Sequence, residues 1–471
     1  RLPNEIVDVE IDIMKKMGVK FRKKFIIGKT VTFDDLNINN PLRNALVDLE
    51  YMNPTPIQIA AFSPIMSGRD VVGVAQTGTG KTFAYLMPLL RMLKFSTDGN
   101  PRIAILVPTR ELVVQVTEEV KKLTTYMTVR PVGVYGGTNI NTQKQSVAEG
   151  VDVLVATPGR FFDLALSGAF KTKFLKKLVI DEVDEMLNLG FRTQLKNILD
   201  MLPEKRQNLL FSATLTEDVG NLINDYFFEP LKIEIAPHGT PLEQIRQNGY
   251  FGVNFNTKAN LLELLLKVDE SMNKVLVFVS TKKLADKLHE KLDSLFPESI
   301  GVIHSNKSQN YRLRMVSEFT ESKIRVLVAT DIIARGLDIA GVSHVVNFEM
   351  PDAPADYMHR IGRTGRADME GIAISFVSEK EDEIFEEIQQ LMGIEVPILP
   401  SPEGLVVSTE LLEFEKEKMG GDKFYYKAPK LNSKGAFHKK LDKNMKVNRA
   451  KEKRQARMAE KKKSRRPGKK R

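Results

Sequence analysis

The sequence predicts two α/β domains in tandem, each built on a parallel β-sheet. Two series of short apolar runs carry this prediction, because a strand covered on both faces is a nearly continuous run of Val, Ile and Leu. Segments of helical length separate the runs, which is typical of parallel α/β units. A stretch with Pro237, Gly239 and Pro241 interrupts the alternation and indicates a linker between the two series.

The first series contains six predicted strands, at residues 71–74, 103–107, 132–135, 153–156, 178–180 and 209–211. The second series contains five, at residues 275–279, 300–303, 326–329, 344–347 and 372–377. Every run is apolar enough to be buried on both faces of its sheet.

We expect a first domain over residues 31–235, a linker over 236–244 and a second domain over 245–395. Residues 1–30 form an N-terminal extension of uncertain origin, and residues 396–471 form a basic, low-complexity tail. The tail cannot bury enough apolar surface to offset the entropy of ordering, so we expect it to be largely disordered when free.

The composition excludes several classes of protein. None of the 471 residues is cysteine, which excludes disulfides, Cys-ligated zinc or iron–sulfur sites and cysteine nucleophiles. The chain has only six His, so we do not expect a His-based metal centre. No apolar run approaches the roughly 18 residues that a membrane-spanning helix needs. We expect a soluble, cytoplasmic protein without a secretion signal or a membrane partner.

The formal net charge of +10 is unevenly distributed. Residues 430–471 hold 19 of the 70 basic residues and 3 of the 60 acidic ones, a balance of +16. The other residues hold 51 basic and 57 acidic side chains, a balance of −6. The chain is therefore a mildly acidic body with a strongly basic tail.

A phosphate-binding loop is predicted at residues 75–82, Ala-Gln-Thr-Gly-Thr-Gly-Lys-Thr. It follows a predicted strand and opens a predicted helix, so its backbone N–H groups can surround phosphate oxygens. Lys81 would reach the β- and γ-phosphates, and Thr82 would offer its hydroxyl to Mg²⁺. Ala75 replaces the usual first Gly. A glycine-rich turn without a ligand is the alternative, which the Lys81–Thr82 pair in register disfavours.

An acidic run at residues 181–184, Asp-Glu-Val-Asp, supplies the acids that a phosphate-binding loop requires. Asp181 can hold Mg²⁺, and Glu182 can orient and deprotonate the attacking water. An acidic tetrapeptide after a strand is by itself more often a solvated turn, but its place downstream of the loop favours the functional interpretation.

These motifs make the chain resemble the DEAD-box RNA helicases, most of which have Asp-Glu-Ala-Asp at the acidic run. The similarity extends over residues 33–377. It includes Pro-Thr-Pro-Ile-Gln at 54–58, Pro-Thr-Arg-Glu-Leu at 108–112, Ser-Ala-Thr at 212–214 and His-Arg-Ile-Gly-Arg-Thr-Gly-Arg at 359–366. The implied fold is two RecA-like domains, and the implied cofactors are ATP and Mg²⁺.

The resemblance assigns roles to individual residues. Catalytic roles are implied for Lys81, Asp181, Glu182, Arg363 and Arg366, of which the two arginines would be fingers that reach the γ-phosphate; surface ion pairs are the alternative for both. ATP binding is implied for Phe33, Gln58, Gly78, Gly80, Lys81, Thr82 and Asp338, metal binding for Thr82 and Asp181, and coupling of hydrolysis to strand separation for Ser212 and Thr214. RNA-backbone contacts are implied for Pro108, Thr109, Arg110, Gly136, Gly137, Thr157, Arg160, Thr281, Gln309, Arg312, Thr330, Arg335 and Gly336.

The implied activity is ATP-dependent separation of short RNA duplexes, or remodelling of ribonucleoprotein, without sequence preference. Two alternatives remain open: an ATP-gated RNA clamp with little unwinding, and a DNA-directed helicase of the same superfamily. The compact body and basic C-terminal extension together most resemble bacterial helicases of the RhlE type. This resemblance suggests ribosomal precursors or RNA-degradation complexes as partners, and we expect a monomer. Residues 1–30 resemble a piece of the small subunit of bacterial glutamate synthase.

We expect the basic tail to act as an electrostatic tether for RNA, because lysine and arginine that neutralise phosphates give salt-sensitive, sequence-independent affinity. A solubilising tail or a protein-binding arm is the alternative. Deleting residues 430–471 should weaken RNA binding and flatten its salt dependence while basal ATPase stays nearly intact. Fluorescence anisotropy across a salt series measures this, and unchanged binding at low and moderate salt would contradict the tether.

Overall fold

The computed structural model describes residues 31–75, 78–94, 96–235, 245–331, 341–365, 371–413 and 415–416. The described residues up to Glu415 belong to one compact unit. The predicted N-terminal extension, the linker at 236–244 and the tail beyond Lys416 lie outside the described residues. Within those ranges, no helix combines the length and apolar character that crossing a membrane requires.

Two seven-stranded sheets, in which every pairing is parallel, form the framework of the described chain. The strands of the first sheet are β1 (Val71–Val74), β2 (Ile103–Leu106), β3 (Pro131–Val134), β4 (Val153–Ala156), β5 (Lys177–Asp181), β6 (Gln207–Ser212) and β7 (Leu231–Glu234). Those of the second are β8 (Ile245–Phe251), β9 (Val275–Val279), β10 (Ile300–Ile303), β11 (Val326–Thr330), β12 (His344–Asn347), β13 (Gly371–Val377) and β14 (Ile398–Leu399).

The two sheets share one topology. The first has the order β3-β4-β2-β5-β6-β1-β7, and the second has β10-β11-β9-β12-β13-β8-β14. Renumbering the second sheet from its own first strand gives the order of the first. The predicted fold class, two parallel-sheet RecA-like domains in tandem, is confirmed.

Helices cover both faces of each sheet. The described α-helices are α1 (Asn40–Asp48), α2 (Pro56–Met66), α3 (Lys81–Met92), α4 (Arg110–Leu123), α5 (Ile140–Ala148), α6 (Pro158–Leu166), α7 (Val183–Asn188), α8 (Arg192–Met201), α9 (Glu217–Tyr226), α10 (Phe255–Val268), α11 (Lys282–Asp293), α12 (Gln309–Thr320), α13 (Pro354–Ile361) and α14 (Asp382–Met392). Separate apolar clusters lie on the two faces of the first sheet, because neighbouring residues of one strand point to opposite faces: Val71 belongs to one cluster and Val72 to the other. All strands of a sheet end at the same edge, so the loops that follow them converge there.

The eleven predicted strands all form, and each predicted boundary lies within two residues of the observed one. One detail of the prediction is wrong: β3 is an edge strand whose first three residues are only partly buried, so it is not covered on both faces. It begins at Pro131, which an edge position tolerates because proline lacks an N–H to donate to a neighbouring strand.

The first part of the predicted tail packs against the second sheet. Leu412 is buried in its core, and the carboxylate of Glu415 accepts hydrogen bonds from the backbone N–H groups of Phe255 and Leu412. The backbone of Ser408 bonds with the side chains of Asn254 and Thr257 at the start of α10. Residues 396–413 therefore depart from the predicted disorder, because Leu412 enters the core of the second sheet and the backbone of Ser408 meets polar side chains at the start of α10.

Ending the chain at residue 404 should lower the thermal unfolding midpoint by about 5 °C, because Leu412 and the hydrogen bonds to α10 are lost. A chain ending at residue 416 keeps these contacts and is the matched control. Circular dichroism melts of the two truncated chains measure the difference, and equal midpoints would show that this segment adds no stability.

Candidate active site

The phosphate-binding loop turns sharply between β1 and α3. Gly78 and Gly80 have φ angles of 82° and 84°, in the left-handed region that only glycine adopts readily. A Cβ at Gly80 would lie 2.5 Å from the Gln58 amide nitrogen, so this position also lacks room for a side chain. The turn leaves Lys81 as the first residue of α3, with its backbone N–H at a helix start.

The Lys81 ammonium group is buried, and among the residues that the structure describes its Nζ atom has no hydrogen-bond partner. A buried cation without such partners is costly unless an anion or ordered polar groups complete its shell. Lys81 therefore marks the place where phosphate oxygens fit.

Gln58 is tied to the loop. Its amide nitrogen donates to the Gly80 carbonyl oxygen over 3.2 Å, and its carbonyl accepts from the Thr55 backbone N–H over 3.0 Å. Phe33, for which the resemblance implies ATP binding, is buried within the core of the first sheet. The structure thus places Gln58 beside the loop and Phe33 in the core.

The acidic run lies at the end of β5, where Asp181 and Asp184 are both buried. The Tyr85 hydroxyl donates to Asp181 over 2.9 Å, and the backbone N–H of Glu182 donates to the other oxygen of the same carboxylate over 3.0 Å. Glu182 has a φ of 53° and begins α7, so its side chain departs from the line of the strand. Tyr85 was absent from the predicted site because no motif marks it; it lies one helical turn after Lys81.

Burial raises the pKa of the Asp181 carboxyl, against the lowering effect of Lys81 and of the Tyr85 hydroxyl. Burial also raises the pKa of Glu182 to about 7, against the charges of Arg363 and Lys81. Burial alone would raise the pKa of Asp184, but His359, Lys81 and the Thr214 hydroxyl hold it below its ordinary value. A group with a pKa near neutrality is suited to accept a proton, which fits the predicted base role of Glu182.

Two of the groups that act on these carboxylates come from the second sheet's half of the chain. His359 lies in the last turn of α13 and Arg363 two residues after the helix ends; the charge of Arg363 acts on Glu182 and that of His359 on Asp184. Arg363 itself is buried, and its Nε donates to the His359 carbonyl oxygen over 3.2 Å. The charge of Arg363 therefore acts on the acidic run, and its role as an arginine finger stays a prediction.

Ser212 and Thr214 connect directly to the acidic run. The Thr214 backbone N–H and hydroxyl both donate to the Asp184 carboxylate, over 2.9 and 2.8 Å. The Ser212 hydroxyl donates to the Thr214 carbonyl oxygen over 2.7 Å. A movement of α7 would therefore be passed to the segment that follows β6.

Several of the predicted RNA-contacting residues that the structure describes lie at the carboxyl edges of the two sheets. Thr109, Thr157 and Thr281 each occupy the N-cap of the helix that follows a strand, and Thr330 ends β11. Pro108 precedes Thr109 and lies two residues after the end of β2. Such helix starts present backbone N–H groups that suit phosphate oxygens.

Some of the predicted RNA-contacting residues pack against or fix the loop that carries Gly136 and Gly137. Gly137, at a φ of 79°, packs against the Arg110 guanidinium, which would collide with any Cβ there. Arg160 is buried and donates to Gln143 over 2.6 Å and to the Thr138 carbonyl over 3.0 Å, so it fixes the loop that carries Gly136 and Gly137.

A polar contact joins the two RNA-facing edges. Glu111 is buried, and its carboxylate accepts from Gln309 and from Arg312, each over 3.1 Å. Gln309 also accepts from Arg312. Sequence reasoning missed Glu111, although it lies within the motif at 108–112, because its partner is about 200 residues away. The predicted residues Arg335, Gly336, Asp338 and Arg366 lie outside the described residues.

The residues present fit a magnesium ion. Thr82 and Asp181 provide hydroxyl and carboxylate oxygens, the ligand type that Mg²⁺ prefers. Within the described ranges no group of three His, Asp or Glu side chains forms a metal site of its own. A metal at this place would therefore be bound together with phosphate, as is usual for Mg²⁺.

Comparison with family models gives two matches. The DEAD/DEAH box helicase family matches residues 55–222, and the helicase conserved C-terminal domain matches residues 257–368.

Among curated proteins, the chain is 38% identical over 390 residues to the ATP-dependent RNA helicase RhlB of Pseudomonas syringae pv. tomato, covering 80% of the chain and 97% of the relative. It is 37% identical over 372 residues to the DEAD-box ATP-dependent RNA helicase RhpA of Helicobacter pylori, covering 79% and 74%.

Two solved structures are similar to the chain, each with 29% identity. Dbp5 of S. cerevisiae bound to RNA and ADP BeF3 has a TM-score of 0.71, with 79% of this chain and 96% of that chain covered. Mss116p bound to ssRNA and AMP-PNP has a TM-score of 0.74, with 81% and 82% covered.

Removing the Tyr85 hydroxyl should slow the ATP hydrolysis expected of this loop about tenfold, because a hydrogen bond to a buried carboxylate contributes roughly 1.5–3 kcal/mol. The test is the steady-state ATPase rate of Tyr85→Phe. Tyr226→Phe is the matched control, since its hydroxyl donates to Asp200 near the surface. Equal rates for the two variants would contradict a role for Tyr85.

Proposed function

The chain belongs to the DEAD-box ATP-dependent RNA helicases, and from this premise we propose how its residues couple ATP hydrolysis to the opening of short RNA duplexes. The observation that carries the proposal is that the two halves meet: Glu111 of the first half accepts from Gln309 and Arg312 of the second, and the charge of Arg363 acts on Glu182. A site that needs both halves can exist only while they are together, so nucleotide and RNA binding become linked.

At the nucleotide, each described residue has one proposed task. Gln58 is within reach of the loop and would hydrogen-bond the edge of the adenine once its bond to Gly80 is exchanged. The N–H groups of the loop at Gly78 and Gly80, and the ammonium group of Lys81, would hold the phosphates. Phe33 would support the nucleotide site from the core of the first sheet.

Hydrolysis breaks the bond between the β–γ bridging oxygen and the γ-phosphorus, and a water oxygen forms the new bond. Glu182 would orient this water and accept its proton, and Arg363 would balance the charge that develops on the γ-phosphate oxygens. We propose the same balancing role for Arg366. Mg²⁺, held by Thr82 and Asp181, would neutralise charge on the β- and γ-phosphates.

RNA would lie across the carboxyl edges of the two sheets. Phosphates would meet the helix starts at Thr109, Thr157 and Thr281, and the loops of Gly136 and Gly137 would let the backbone approach closely. These are contacts to sugar and phosphate, which hold a strand without reading its bases. We propose the same type of contact for Pro108, Arg110, Arg312, Thr330, Arg335 and Gly336, with Arg160 fixing the glycine loop.

Closure couples the two ligands. The Glu111 contact with Gln309 and Arg312 would hold the RNA-facing edges of the two halves together, and Arg363 of the second half would complete the nucleotide site of the first. Closure of the two halves would therefore form the RNA site and the nucleotide site at once. Thr214, bonded to Asp184, would carry the change at the acidic run toward the bound strand. A strand bent across both edges cannot remain in an A-form duplex, and release of phosphate would reopen the groove.

We further propose domains over residues 31–235 and 245–395, with Asp338 positioning the fingers, and a monomer that acts in the cytoplasm. Ribosomal precursors and RNA-degradation complexes are the proposed settings, supported by the family and by the basic charge of residues 430–471.

Glu182→Gln should abolish hydrolysis while ATP and RNA still bind, because the amide keeps the size of the side chain but cannot accept the proton. Single-turnover ATPase should fall at least about a hundredfold, the scale of a lost general base. Strand displacement of a short RNA duplex, with a DNA duplex beside it, checks the substrate. If the unmodified chain is as slow as the variant, the chain is a clamp and not the proposed enzyme.

A further inference from the structure

Arg360 is the largest side chain that the described protein buries almost completely, with 1% of it exposed. It lies on α13, three residues before Arg363, and the Arg363 backbone N–H donates to the Arg360 carbonyl over 3.2 Å. None of the roles assigned above uses the Arg360 side chain. A buried guanidinium needs a counter-charge and full hydrogen bonding to be tolerated, so its partners are informative.

The partners of Arg360 lie in β9 and β12 or within two residues after β11 and β12. Its Nε and Nη2 donate to the two carboxylate oxygens of Asp331, over 2.6 and 2.7 Å. Its Nη1 donates to the Glu349 carbonyl over 2.6 Å and to the Asn347 side chain over 3.3 Å. The guanidinium also lies 5.2 Å from the centroid of the Phe278 ring. The group is therefore held by Coulombic attraction, four hydrogen bonds and an aromatic face.

These partners are adjacent to the proposed RNA contacts. Asp331 directly follows Thr330 at the end of β11. The Glu349 carboxylate accepts from the Ser280 backbone N–H over 2.8 Å and from its hydroxyl over 2.5 Å, and Ser280 directly precedes Thr281. Arg360 thus links both RNA-facing positions of the second half to the helix that directly precedes the turn with Arg363.

We propose that Arg360 is a positioning residue that couples RNA binding to the placement of the Arg363 finger, through its bidentate bond with Asp331. RNA that fixes Thr330 also fixes Asp331, and the rigid pair then sets the position of α13. Because the planar guanidinium bonds both carboxylate oxygens, it transmits rotation as well as distance, which a lysine cannot do. The inference rests on the proposed function, in which Arg363 acts at the nucleotide.

The alternative is that the Arg360–Asp331 pair only stabilises the fold. The first sheet offers a chemically matched control pair, at the edge where its strands begin rather than at the carboxyl edge. Arg130 also bonds both oxygens of one carboxylate, with Nε and Nη2 at 2.9 and 2.8 Å from Asp152, and Asp152 is buried. This pair precedes β3 and β4, away from both proposed ligand sites.

The test compares Arg360→Lys and Asp331→Asn with Arg130→Lys and Asp152→Asn, all in the full chain. The readouts are the ratio of ATPase rates with saturating and without RNA, nucleotide-free RNA affinity, and the unfolding midpoint. We expect the first two variants to lower the ATPase ratio about tenfold, the middle of the usual range of coupling. Nucleotide-free RNA affinity should change by less than about twofold, because no phosphate contact is removed.

The control variants should lower the midpoint and leave the ratio unchanged. The double variant Arg360→Lys with Asp331→Asn should lose no more coupling than either single variant, as partners in one interaction do. If Arg360→Lys does not fold, Asp331→Asn is used alone, because Asp331 is the more exposed member of the pair.

An unchanged ATPase ratio in Asp331→Asn would overturn the inference, as would an equal loss in the control variants. Arg363→Ala separates this failure from failure of the proposed function. If Arg363→Ala keeps full RNA-stimulated ATPase, the proposed finger is wrong. If it loses activity while Asp331→Asn stays coupled, the function stands and only the positioning role is refuted.

Discussion

The structure depends on one constraint, the burial of opposite charges where β1 and β5 end. Asp181, Asp184 and Lys81 are removed from water, and within the described chain the Lys81 Nζ atom has no hydrogen-bond partner. Buried charges are tolerated only when they are balanced. Lys81 balances part of the acidic charge, and His359 and Arg363 of the second half also act on Asp184 and Glu182. The requirement of charge balance thus links the two halves at the acidic run.

Much of the fold was predictable because burial leaves a strong mark on sequence. Eleven strands are short apolar runs, and parallel strands covered by helices leave few other arrangements for such runs. The three missed strands lack this mark. β7 and β14 are short edge strands with exposed residues, and β8 alternates buried and exposed positions with Arg246, Gln247 and Asn248 among them. Whether these segments form strands depends on their position in the sheet and on their pairing partners, and the local amino-acid composition indicates neither.

The candidate site was predictable where chemistry demands a fixed spacing. The loop ending at Lys81 and the acids at Asp181 follow from strand, turn and helix geometry. Tyr85, Glu111 and Arg360 were missed, because their roles arise from partners that are 96, 198 and 29 residues away. No local pattern reports such contacts, and a buried tyrosine or arginine in a helix has the same sequence signature as one on the surface.

The joint formation of the nucleotide and RNA sites across the two halves can be measured in a thermodynamic cycle. RNA affinity is measured with and without a non-hydrolysable ATP analogue, and affinity for the analogue with and without RNA, in one buffer. Linkage requires the two ratios to be equal, and we expect both to exceed about fivefold and to fall toward one in Arg363→Ala. Ratios of one in the unmodified chain would show that the two ligands bind independently and that no shared site forms.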